Sequence, residues 1–225
     1  MPFTASLLGL IAPPTCLACG GVVPAASSSL CPACRAHLPW LRGPRCPRCA
    51  LPRHRAGGCP AAEAAFERAW APLAHRGVAR DVVAALKIRA AVPAARLMAA
   101  QLAAGMPRDL LPPGAMLVAV PAQPARRRRR GYDPAQMLVG ALAARTRAPV
   151  SGCLRRVDRA GRQAGAGRAQ RRSARIEFVL AGPPPERVLI VDDVHTTGAT
   201  LEACARVLRD GGCAHSAALT YTRAL

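Results

Sequence analysis

The stretch Val188-Leu189-Ile190-Val191-Asp192-Asp193-Val194-His195-Thr196-Thr197-Gly198-Ala199-Thr200 decides how this chain is read. Its first four residues are a short continuous apolar run, the pattern of a strand buried on both faces of a parallel sheet. Two adjacent acids end the run, and a Thr/Gly loop then opens a helix expected over Ala199 to Arg209. In open α/β sheets, ligands bind at that carboxyl end of a strand. Gly198 lets backbone approach an anion closely, the N–H groups from Thr196 to Thr200 can point at phosphate oxygens, and the helix start adds a positive dipole end. Asp192 and Asp193 would repel a phosphate, so they suit ribose hydroxyls or a magnesium ion. A phosphorylated sugar matches both halves of the motif, whereas a plain strand-to-helix turn leaves two adjacent acids unexplained.

Outward from this run, Met116 to Val120 is a second buried strand, followed by a helix over Pro134 to Arg145. The helix that begins near Ala199 ends at Gly211-Gly212, and Ser216 to Tyr221 supplies another strand. Strand, loop, helix, strand is the βαβ pattern of a doubly wound sheet. Val78 to Leu86 and Ala94 to Leu102, rich in Ala and Leu and free of internal Pro and Gly, predict helices. Arg155 to Arg175 is rich in Arg, Gly and Gln without periodicity and reads as a mobile loop over the site or a disordered insert.

At 225 residues the chain holds one α/β domain of about 150 residues plus a smaller module. The apolar segment Phe3 to Ala12 runs into Pro13-Pro14 and is too short for a membrane span, so it reads as a packing helix of a cytoplasmic protein. The net charge of +20 attracts polyanions: nucleic acid, anionic lipid or a phosphorylated metabolite. Arginine enrichment through coding bias is the alternative source of that charge.

Seven of the ten cysteines lie between residues 16 and 59, six in Cys-x-x-Cys pairs, a spacing that suits metal in a reducing compartment better than disulfides. Cys16, Cys19, Cys31 and Cys34 make a four-thiolate set, since thiolates at i and i+3 can share one tetrahedral zinc. Cys46, Cys49 and Cys59 begin a second set, but Ala62 stands where a fourth thiol is expected. Either His54 fills the gap or the set is incomplete, and between Arg53 and Arg55 this histidine reads first as an exposed loop residue. A redox role would need one such pair at a helix start. Cys153, Cys204 and Cys213 read as small core residues.

The run from Val188 to Thr200 resembles the signature with which type I phosphoribosyltransferases bind 5-phosphoribosyl 1-pyrophosphate (PRPP). Over nearly the whole length the chain resembles the ComF family, bacterial proteins that join an N-terminal zinc module to such a domain and are linked with DNA uptake in competence. The resemblance rests on the Cys-x-x-Cys pairs, Leu86-Lys87-Ile88, Val120-Pro121, and Arg130-Gly131-Tyr132-Asp133-Pro134-Ala135. In the last, Asp133-Pro134 stands where the family has Asn-Gln, which puts an amide-mediated contact in doubt, and Ser173 stands where an Asn is expected between Gln163 and Phe178.

The resemblance implies a type I phosphoribosyltransferase fold over residues 63–225, with parallel sheet and flanking helices, behind a zinc-ribbon module over residues 1–62. It makes Asp192 and Asp193 the catalytic pair that contacts the ribose hydroxyls, and the loop Thr196, Thr197, Gly198, Ala199 and Thr200 the holder of the 5-phosphate. Lys87, the only lysine, then reaches the pyrophosphate rather than resting on a solvated helix face. Arg126 to Arg130 lies where this fold keeps its pyrophosphate loop, and guanidinium forks suit a diphosphate. The expected cofactors are structural Zn²⁺ and Mg²⁺ with PRPP. The expected activity is phosphoribosyl transfer, a glycosyltransferase (pentosyl) reaction, to an acceptor the sequence leaves unnamed. The rival is a non-catalytic adaptor that keeps the sugar-phosphate pocket and binds single-stranded DNA or competence proteins; without interleaved aromatics, DNA contact would be to the backbone.

Overall fold

The computed structural model describes residues 14–23, 28–54, 58–157 and 177–225. Phe3 to Ala12, Gln163 and Ser173 lie outside the described residues. A short helix α1 (Pro32–Ala36) stands in the cysteine-rich segment. The main domain runs β1 (Arg68–Trp70), β2 (Leu73–Ala74), α2 (Gly77–Arg89), α3 (Val92–Gly105), a 3₁₀ turn (Arg108–Leu110), β3 (Met116–Ala119), α4 (Pro124–Arg130) and α5 (Pro134–Thr146). It continues with β4 (Leu154–Val157), β5 (Glu177–Leu180), β6 (Arg187–His195), α6 (Ala199–Asp210) and β7 (His215–Arg223).

The sheet has the order β1-β7-β6-β3, every neighbour parallel, with β2 also on β7. In β6 the period of two sorts the side chains cleanly. Leu189 and Val191 join Leu117, Leu219 and Tyr221 in a core closed by Leu86 of α2, Met98 and Leu102 of α3, and Leu138 and Leu142 of α5. Val188 and Ile190 join Val118 and Ala218 on the other face, against Leu201, Cys204 and Leu208 of α6 and Phe178 of β5. A strand buried on both faces must be apolar at every position, which is why its apolar residues run unbroken. Each fully buried Leu or Ile is worth about 1.5–3 kcal/mol. Packing rather than propensity therefore holds helices of this length.

The cysteine-rich segment straddles the sheet. Cys16, Val23, Leu30 and Leu38 belong to the first core, while Cys49, Ala50 and Ala61 belong to the second. Arg48 substitutes for regular structure here: its guanidinium donates to the carbonyls of Ala61, Ala62, Ala64 and Glu67, tying the segment into β1.

Three features differ from the expectation. Arg155 and Arg156 are not loop: β4 pairs antiparallel with β5, anchored by buried Leu154 and Phe178, and Arg156 stacks 5.7 Å over the Phe178 ring. Two consecutive arginines in a strand of four residues hide it from a hydrophobic pattern. The arginine run is a helix, started by Pro124 and ended by Gly131 at φ +77°, and arginine is a good helix former. Asp192 and Asp193 lie inside β6, which stays paired with β7 as far as His195. Among the described residues no helix is long and apolar enough to cross a membrane.

Candidate functional site

At the carboxyl ends of β3 and β6 a cavity of ≈350 Å³ gathers Lys87, Arg130, Asp192, Asp193, Thr196 and Thr200. Lys87 comes from the last turn of α2, and its Nζ lies 2.8 Å from Oδ1 of Asp193, a residue only 4% exposed. The Tyr132 hydroxyl donates to the Lys87 carbonyl at 2.6 Å and accepts from the Ala90 N–H at 3.1 Å. One phenol thus satisfies two backbone groups at the end of α2, where Ala90 turns left-handed, and holds the lysine over the acids. The Asp193 N–H donates to Asp192 Oδ1 at 2.8 Å. Burial, and then the neighbouring Asp193 carboxylate, push Asp192 up to about 8.

Asp133 is buried, and both of its oxygens accept backbone hydrogen bonds. Oδ1 caps α5 by accepting from the Ala135 and Gln136 N–H groups, and Oδ2 accepts from the Ala122 N–H at 2.9 Å. The carboxylate therefore pins the segment after β3 to the start of α5, a task that needs acceptors only and tolerates an acid in place of an amide. Pro134 occupies the first turn, where its missing N–H is harmless. Helical geometry divides the arginine run: Arg126 and Arg130, four apart, line the cavity, while Arg127 to Arg129 are exposed and outside its lining. Arg156 of β4 also lines it. Among the described lining residues, Lys87, Arg126, Arg130 and Arg156 outnumber Asp133, Asp192 and Asp193, so the cavity is net positive and suits a polyanion.

The loop serves two cavities. Thr196 and Thr200 line the one above, whereas Thr197, Gly198 and Ala199 line an adjoining space of ≈300 Å³ shared with Glu63 and Phe66. The Thr197 hydroxyl accepts from the Ala199 N–H at 3.3 Å, so one loop amide is satisfied internally. Gly198 sits at φ +87°, and a Cβ there would lie 2.9 Å from Nε2 of His195. His195 is 2% exposed, its ring edge-on to Phe66 at 6.4 Å. Burial, and then the charge of Arg223, push its imidazole down to about 4, which keeps it neutral.

Two ligand clusters occupy the N-terminal segment. In the first, Cys16, Cys19, Cys31 and Cys34 hold their sulfurs within 4.8 Å of one another, with Cys19 and Cys31 3.9 Å apart. The edge of a tetrahedron with Zn–S bonds of about 2.3 Å is about 3.8 Å, so this spacing fits zinc. In the second, Cys46 and Cys59 are 3.7 Å apart, and His54 Nε2 lies 3.3 Å from Cys49 Sγ. His54 is exposed, as a loop histidine should be, yet it supplies the fourth position of a Cys₃His set. Despite burial, knuckle N–H groups bring the Cys16 thiol down to about 6 and Cys46 to about 7. Burial and neighbouring thiols push Cys34 and Cys49 up to about 12.

Residues 7–63 match the family model of the double zinc ribbon domain. The N-terminal segment is therefore a zinc-binding module, with two ligand sets for two ions. No curated protein matches the chain.

Several residues at the site carry no sequence signal of their own. Arg156 is one arginine among many, and Tyr132 matters through its hydroxyl. Arg223, near the C-terminus, is 3% exposed and donates to four backbone carbonyls. Contact between residues 174 positions apart, as between Arg223 and Cys49, cannot be read from either neighbourhood.

Proposed function

We propose that this is a ComF-like protein whose C-terminal domain has the type I phosphoribosyltransferase fold, binds PRPP and transfers its phosphoribosyl group. The observation that carries the reading is the convergence on one cavity of two acids, the Thr196 and Thr200 ends of the phosphate loop, and four cations. Asp192 and Asp193 accept from the ribose hydroxyls, backbone and hydroxyl donors of the loop take the 5-phosphate, and Lys87, Arg126, Arg130 and Arg156 take the pyrophosphate. The C1–O bond breaks with its electron pair leaving on pyrophosphate, C1 becomes oxocarbenium-like, and a nitrogen nucleophile bonds to C1 and loses its proton to solvent. Stabilising the leaving pyrophosphate is the main contribution of the cations. Magnesium, when bound with PRPP, supplies further neutralisation of the diphosphate, and Asp192, which has no cation partner among the described residues, is the carboxylate suited to its water shell.

The test is thermal stabilisation by PRPP with magnesium, followed by pyrophosphate release with a panel of nitrogenous bases. A ligand at about 100 times its Kd stabilises by about 2.7 kcal/mol. That shift should vanish in the double variant Asp192→Asn/Asp193→Asn, and no shift in the parent protein would refute the reading. The exposed Arg127 to Arg129 favour a second reading, an adaptor that holds a polyanion outside the cavity. Salt-sensitive oligonucleotide binding unchanged by the acid substitutions would support it.

A further inference from the structure

We infer that Arg223 is a positioning residue that makes the second zinc cluster and the phosphate loop one mechanical unit. Its Nε donates to the carbonyl of the zinc-ligand residue Cys49 at 2.9 Å. Its Nη1 donates to the carbonyls of His195 at 2.9 Å, of Thr196, and of Ala224 at 2.8 Å. One guanidinium thus joins the knuckle to the last residue of β6 and the first residue of the loop. It can do so because β7 pairs with β6 in register, His195 opposite Arg223.

The electrostatics explain why the cation is tolerated there. A guanidinium 3% exposed needs a counter-charge, and among the described residues no carboxylate pairs with Arg223. Three thiolates, a neutral imidazole and Zn²⁺ together carry a net charge of about −1. The loaded cluster is the missing counterion. Without metal, the knuckle geometry that presents the Cys49 carbonyl to Arg223 is released. Phe66 adds a second brace, its ring against the His195 imidazole. Metal at the second cluster therefore holds the loop in its anion-binding shape, and by linkage a ligand on the loop must hold the metal. The ligand half of this inference rests on the sugar-phosphate reading above; the metal-to-loop half does not.

The experiment compares the full chain, zinc-loaded, with Arg223→Met, Cys59→Ser and the double variant. Amide hydrogen exchange at residues 195–198 should accelerate about 10-fold or more in each single variant and no further in the double, while β3 keeps parental protection. His54→Ala, which keeps three thiolates, replaces Cys59→Ser if that variant loses the β3 protection. Ribose 5-phosphate, titrated by calorimetry, should bind about 10-fold more weakly to both singles, and it should slow zinc release from the second cluster of the parent by a similar factor. Unchanged loop exchange on emptying the second cluster, or additive effects in the double variant, overturns the coupling. Failure of the parent to bind ribose 5-phosphate overturns the sugar-phosphate reading instead, and exchange alone then decides on Arg223.

Discussion

Gly198→Ala probes the loop at its tightest point. Two costs can be worked from the geometry. At φ +87° any residue with a Cβ is strained, by about 1–2 kcal/mol. The new methyl would also lie 2.9 Å from Nε2 of His195, which cannot retreat freely because its ring meets Phe66 and its carbonyl is held by Arg223. Overpacking of this kind costs about 1–3 kcal/mol. The sum, about 2–5 kcal/mol, is a large share of a typical domain stability of about 5–15 kcal/mol. At about 2–4 °C per kcal/mol for a chain of this size, a mid-range value of about 3 kcal/mol lowers the Tm by about 6–12 °C. Urea unfolding of zinc-loaded protein, followed by the fluorescence of Trp40 and Trp70, measures it. A cycle with His195→Ala separates the two costs: with the imidazole gone, Gly198→Ala should cost only the backbone part, about 1–2 kcal/mol. Equal cost in both backgrounds would refute the contact, and a cost below about 0.5 kcal/mol would refute both contributions.

Other outcomes follow from the same geometry. Tyr132→Phe removes a hydroxyl that bonds Lys87 and Ala90, so it should destabilise by about 1–2 kcal/mol and weaken PRPP binding through a looser Lys87; parental affinity in calorimetry would detach the tyrosine from the site. His195 is held neutral, with its folded value near 4 against 6.5 unfolded, so the unfolded chain binds the extra proton between those limits. The corresponding stability, about 3 kcal/mol, is present above pH 6.5 and lost as pH falls towards 4, and urea midpoints for His195→Phe should fall less over that window. Zinc content should be two ions per chain and should drop to one in His54→Ala, measured by metal analysis after dialysis; two retained ions would remove His54 from the ligand set.

The sequence by itself determined what depends on local order. The unbroken apolar run of β6 announces a strand buried on both faces, and the following helix begins at Ala199 as expected because acids, loop and helix start are contiguous. The helices predicted over Val78 to Leu86, Ala94 to Leu102 and Pro134 to Arg145 stand within α2, α3 and α5, since helical pattern is carried by neighbours three and four apart. The Cys-x-x-Cys pairs announced metal because two ligands on one knuckle are a local arrangement. Only the tertiary structure decided the rest. It brought His54 to Cys49, set Lys87 on Asp193, divided the arginine run between cavity and solvent, turned Arg156 into a lining residue, and drew Arg223 against both the knuckle and the loop. Each of these contacts joins segments that meet only after the sheet and its two cores have formed. Their partners are chosen by packing and by the need to satisfy buried charge, and neither is written in the residues beside them.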